Sequence, residues 1–143
     1  MIPEINYWAA LIATMAAIVI GSIWYTPKVF GTRWSKLANV DMDRPASSAT
    51  MAIITTVIVS FITAWVLAGS VAIAWHFYGG SYFSSAIVTG LTLWAGFTAG
   101  RLITHEVFMG RPSQLTILNV SYELVLVVVM SVVIGAWPPA GTV

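Results

Sequence analysis

Four apolar stretches, roughly 5–25, 49–75, 83–104 and 115–137, follow one another along the chain with three polar gaps between them. Each has the roughly 20 residues that a helix needs to cross a hydrocarbon layer about 30 Å thick. The pattern predicts one all-α integral membrane bundle of four transmembrane helices, spanning the whole of 1–143 as a single domain. Polar residues inside the stretches are few, so the ones present stand out.

The charges orient the bundle. Lys28, Arg33, Lys36 and Arg44 fall in the first gap, and Arg101 and Arg111 bracket the third. The N-terminus, the second gap and the C-terminus carry no Lys or Arg. Cytoplasmic loops collect positive charge, so gaps one and three are expected inside and both termini outside. Hydrophobic residues make up 59% and charged residues 8% of the 143 residues, against roughly 25% charged in a soluble domain. A net charge of +1 argues against a nucleic-acid partner, which would need a clustered basic face. The absence of cysteine removes disulfides, thiolate nucleophiles and sulfur-ligated metals. Glu4 stands where a signal peptide would carry basic residues, and the first apolar run is too long for its core, so span one reads as a retained helix.

Small residues mark where helices approach closely, the main source of packing energy where lipid is as apolar as a side chain. Ala13, Ala17 and Gly21 recur four apart in span one, and Gly96 and Gly100 form a GxxxG frame in span three. Tyr7 and Trp8 read as an outer aromatic belt, and Trp24 and Tyr25 as an inner one. In the first gap, Thr26 before Pro27 reads as a helix cap with proline at the first helical position. Phe30, Trp34 and Leu37 then recur at helical spacing, with Arg33 and Lys36 off that stripe. This predicts a short interfacial helix between helices 1 and 2, with a plain basic connector as the alternative. Gly79-Gly80-Ser81 predicts a tight turn between spans two and three, and His76 beside it reads as part of an interfacial belt. Gly110-Arg111-Pro112 predicts a short connection between antiparallel spans three and four, with Ser113 as N-cap.

Span four holds the residues with chemistry. Glu123 lies about eight residues into it, roughly 12 Å deep at the helical rise, where a charge costs on the order of 3 kcal/mol. It is expected to face the bundle, a second subunit or water. Asn119, one turn earlier on the same face, is expected to hydrogen-bond it. Arg101 reaches toward it from span three, and Tyr122 and Thr98 complete a polar intramembrane set. Two readings stay open. Glu123 and Arg101 line a pocket for a proton, ion or small solute, or the same pair locks two helices or fixes an oligomer.

Enzyme signatures are missing. His105-Glu106 opens like a zinc-protease motif, but Met109 stands where the second histidine belongs, so no metal site of that class forms. Glu106 reads as an inner-surface residue able to pair with Arg111. No phosphate loop, dinucleotide fingerprint or nucleophile elbow occurs. Asp41 and Asp43 lie on the opposite side from His76, so no triad converges. The sequence identifies no catalytic residue and no cofactor. The sequon Asn119-Val120-Ser121 lies inside a span and is inaccessible. Phe30-Gly31-Thr32-Arg33 after span one faintly echoes Phe108-Met109-Gly110-Arg111 after span three, too briefly to establish a repeat.

Several stretches together resemble a known family. They are Asn6-Tyr7, GSIWYTPKVFGTRW at 21–34, LWAGFTAG at 93–100, VFMGRPSQLTILNVSYELV at 107–125 and IGAW at 134–137. The chain resembles the small four-helix bacterial membrane proteins grouped as domain of unknown function 1761. The resemblance covers most of the chain apart from span two, and it implies the four-span fold and a bacterial inner-membrane address. It carries no activity.

The reading that follows is a non-catalytic membrane component, partnered by the lipid bilayer and either self-associating as a homo-oligomer or accessory to a larger membrane complex. The alternative is a minimal proton, ion or small-solute transporter using Glu123 and Arg101. A membrane enzyme acting on lipid or quinone comes third, without a constellation to support it.

Overall fold

The structure, a computed structural model, describes residues 4–40 and 46–142, with side chains for all of these except 46–49. Asp41, Asp43 and Arg44 of the basic connector lie outside the described residues.

All regular structure among the described residues is helical. In chain order it comprises α1 (Tyr7–Trp24), α2 (Gly31–Ala38), α3 (Ala46–Tyr78), α4 (Tyr82–Leu93), a π-helical segment (Trp94–Ala99), α5 (Gly100–Phe108) and α6 (Ser113–Ala136). Four continuous helical stretches are long and apolar enough to cross a membrane: Tyr7–Trp24, Thr50–Tyr78, Tyr82–Phe108 and Ser113–Ala136. The third runs past the apolar run of the sequence, because the helix continues through His105 and Glu106 to Phe108 after hydropathy has fallen.

The helix ends follow local chemistry. At the start of α1, the Asn6 side chain accepts hydrogen bonds from the Trp8 and Ala9 amides, both at 3.1 Å, satisfying donors the helix leaves orphaned. Thr26 does not cap the second helix: its hydroxyl donates back to the Ile23 carbonyl at 2.8 Å. A turn through Val29 intervenes, and α2 begins only at Gly31. Gly31 is buried against the Tyr25 and Thr26 backbone, where a Cβ would collide. Ser113 is the first residue of α6 and its cap position is Pro112, one place earlier than the sequence suggests. Between α3 and α4 the chain reverses through Gly79 and Gly80, at φ 70° and 82°, a region open to glycine at little cost. The Trp75 indole closes that turn by donating to the Gly80 carbonyl at 2.9 Å.

The spans pack as a ring in the order α1, α3, α4, α6 and back to α1. The Asn6 amide donates to the Trp137 carbonyl at 3.2 Å, so the start of α1 and the end of α6 share one end of the bundle, the terminal end. The first and third gaps, with Lys28, Arg33, Lys36 and Arg111, lie at the other, basic end. The core fills the terminal half: Ala10, Ala13 and Ala17 of α1, Ala64, Leu67, Ala68 and Val71 of α3, Ala86 of α4, and Leu126, Met130 and Ile134 of α6.

A close helix contact joins α4 and α6 through two small-xxx-small frames in antiparallel register. Gly90 faces Ser131, and Ala86 faces Gly135, where a Cβ would lie 2.9 Å from that of Ala86. Small residues let the backbones approach and recover dispersion contacts. The basic half is looser. Every α3 residue from Met51 to Val59 is exposed, so that helix leaves its neighbours as it approaches the basic end.

Candidate functional site

Three clusters occupy the basic half, each assembled by different elements. The first is aromatic. Trp24 packs on Phe30 with ring centroids 4.5 Å apart, and Tyr25 meets Trp34 at 5.2 Å. Tyr122 of α6 inserts between them, 5.8 Å from Trp24 and 5.1 Å from Tyr25. Its hydroxyl presses on Gly21, where a Cβ would come within 2.8 Å of that oxygen. Such tilted and edge-on pairs favour aromatic ring quadrupoles. The cluster docks the α1–α2 corner onto α6 and gives Gly21 its reason to be small. Burial, followed by neighbouring Tyr122 and then Glu123, pushes the Tyr25 phenol above its ordinary range.

The second cluster joins α5 to α6. Asn119 donates from Nδ2 to Oε1 of Glu106 at 2.8 Å, not to Glu123 as its position on the same helix suggests. Glu106 is 7% exposed, and its second oxygen, Oε2, is buried without a partner. The surface position expected for Glu106 is therefore corrected. Ala99 and Glu106, seven residues apart, both turn inward in the structure. The π segment helps aim them. From Ala86 to Glu106 an unbroken α-helix would turn the side chain about 200° about the axis, and absorbing one extra residue removes about 100° of that.

The third cluster is a groove of about 760 Å³ along the outer side of α5, lined by Phe97, Thr98, Arg101, Leu102, Thr104, His105, Phe108 and Glu123. The Glu106–Asn119 bond marks the antiparallel register, which brings Arg101 and Glu123 to nearly the same depth, roughly 7 Å further in at the helical rise. They do not form an ion pair within 4.0 Å, and neither has a hydrogen-bond partner among the described residues, although Glu123 lies near enough to Tyr25 to act on its phenol. Arg101 and His105 are exposed, one turn apart, and Glu123 is half-buried. The groove is open along its flank, with Phe97 at 76% and Phe108 at 89% exposure.

The five residues read as one intramembrane polar set thus divide three ways. Glu123, Arg101 and Thr98 share the groove, Asn119 belongs to Glu106, and Tyr122 belongs to the aromatic corner with Trp24, Tyr25, Phe30 and Trp34. Ala13 and Ala17 are fully buried. Gly96 and Gly100 are exposed, and a Cβ added at either would meet nothing beyond their own helix. Besides Gly21 under Tyr122, the glycines at a helix–helix contact within the chain are Gly90 and Gly135, marked in the sequence by Ala86-x3-Gly90 and Ser131-x3-Gly135. Among the described residues no three His, Cys, Asp or Glu side chains gather as a metal site.

Residues 8–135 match the family described as protein of unknown function DUF1761. The chain belongs to this family. The match takes in the aromatic corner, the groove and the α4–α6 contact, so all three lie within the DUF1761 region. No curated protein and no solved structure matches the chain.

Proposed function

We propose that this DUF1761 protein resides in the inner membrane with its basic end in the cytoplasm, as a subunit without catalytic machinery that assembles with further copies of itself. The observation that carries the reading is the open face of span three. Gly96 and Gly100 lie on it with Ile103 and Val107, which are 44% and 68% exposed. A GxxxG frame followed by apolar side chains fits a second helix at close range. Inside the chain the equivalent frames on α4 and α6 are already paired with each other. A second copy brings the matching face, as a two-fold interface requires.

The transporter reading is the weaker one. The groove holding Arg101 and Glu123 belongs to the basic half, and beyond it Leu126, Val127, Met130 and Ile134 pack against α1, α3 and α4. A path across the bilayer would have to open that core.

The test is the mass of the particle extracted natively into nanodiscs, with everything bound to it identified. The wild type should form a homo-oligomer, and Gly96→Leu should run as a monomer with an unchanged unfolding midpoint. A monomeric wild type, or a foreign subunit in fixed ratio, would overturn the assignment.

A further inference from the structure

The groove on the other side of α5 carries a charge pattern that the glycine face does not explain. Running inward from the basic end, its wall on α5 reads Phe108, His105, Thr104, Leu102, Arg101, Thr98 and Phe97, with Glu123 facing it from α6. A cation and a carboxylate at one depth, unpaired with each other, are costly to hold in an apolar layer. Each is left with its bonding capacity unused, five N–H donors on Arg101 and two acceptor oxygens on Glu123.

We infer that this groove seats a phospholipid of the surrounding bilayer whose headgroup carries both a phosphate and a primary ammonium, such as phosphatidylethanolamine. Arg101, with His105 one turn nearer the basic end, presents N–H donors to the phosphate, and a guanidinium matches phosphate geometry with two parallel bonds. The Glu123 carboxylate accepts from the ammonium. Each ligand charge thereby meets a protein group of complementary hydrogen-bonding character.

Charge complementarity selects among bilayer lipids. A choline headgroup has the same net charge but no N–H to donate, so Glu123 would keep its acceptors empty. A glycerol headgroup lets Arg101 meet the phosphate but brings no cation to Glu123, so one negative charge stays uncompensated in the groove. The rest of the lining suits an amphiphile entering sideways. Phe97 and Leu102 give apolar contact for the upper acyl chain, and the exposed flank lets the tails remain among neighbouring lipids without an aqueous route. The groove's volume of about 760 Å³ has room for a headgroup and glycerol backbone with only part of the acyl chains. This site is independent of self-association, which uses the opposite face of the same helix.

The full-length protein, purified in mild detergent and stripped of lipid, is offered phosphatidylethanolamine, phosphatidylcholine or phosphatidylglycerol with identical acyl chains. Retention of one bound lipid is read by native mass spectrometry. Phosphatidylethanolamine should be retained about tenfold better than either of the others, and Arg101→Ala and Glu123→Gln should each reduce that by about tenfold. His105→Gln changes an exposed residue with no part in the core, so it keeps the fold and should weaken retention about threefold, half a decade. Equal retention of the three lipids would overturn the inference. So would a preference for phosphatidylglycerol that survives Glu123→Gln, which marks a simple anion site. Retention unaltered in all three variants places the lipid elsewhere, and a groove shielded by a second copy in the lipid-free particle gives it to that copy instead.

Discussion

Glu106 holds one satisfied carboxyl oxygen and one bare one in the α5–α6 contact, which makes Asn119 its decisive neighbour. Removing one partner of a buried hydrogen bond costs the desolvation of the group left behind. Asn119→Ala should therefore lower stability by about 1–3 kcal/mol. Glu106→Gln keeps an acceptor oxygen for Asn119, so it should stay closer to wild type than Asn119→Ala. Denaturant unfolding in micelles compares the two, and an Asn119→Ala protein as stable as wild type would show that the bond contributes nothing. That Asn119 serves Glu106 was not legible in the sequence. Helical spacing makes Asn119 and Glu123 neighbours on one surface, whereas the partner across the helix pair depends on a register set by the turn at Gly110 and the phase of α5.

At the scale of elements, the antiparallel pairing of α4 and α6 is a tight feature of the bundle. Gly90 leaves no room for a side chain opposite Ser131, and Gly90→Val should cost about 1–3 kcal/mol by overpacking. Ser131 is 1% exposed with its hydroxyl unpartnered. Ser131→Ala should therefore be neutral or stabilising, since it removes a buried polar group that gains no bond. Thermal unfolding of the two variants in the same detergent separates the effects, and a Gly90→Val protein that melts with wild type would contradict the close approach. The elements themselves were largely legible, because four long apolar runs permit little besides helices in a bilayer. Their ends were less so: Thr26 and Ser113 carry capping side chains, yet one bonds backwards to Ile23 and the other lies inside its helix. The π segment has no reliable sequence signature, since it resolves a mismatch between two faces of one helix that exists only after packing.

For the whole molecule, the Asn6–Trp137 bond fixes the two termini at one end, together with the Gly79–Gly80 turn, while the basic gaps share the other. The proposed orientation rests on the charge bias between the two ends. The chain has no cysteine, so single cysteines report cleanly at the exposed positions Lys28, Ser81, Arg111 and Ala140. In intact cells an impermeant maleimide should label Ser81→Cys and Ala140→Cys. Lys28→Cys and Arg111→Cys should react only after permeabilisation. The reverse pattern would turn the bundle over, and labelling that splits Ser81 from Ala140 would break the topology itself.

The sequence by itself determined four helical spans, the segregation of positive charge to two of three gaps, the lack of metal-binding and nucleophilic cysteines, and the family. These follow from hydropathy, charge and short-range spacing, which act along the chain and need no knowledge of neighbours. Only the tertiary structure decided that Ala86, Gly90, Ser131 and Gly135 join α4 to α6 and that Gly96 and Gly100 remain open. It also decided that Glu106 is buried, that Asn119 serves it, and that Arg101 and Glu123 share a groove without touching. Those outcomes depend on rotation and register between helices. In an apolar solvent both are set by how closely backbones can approach, and no single helix encodes that distance alone.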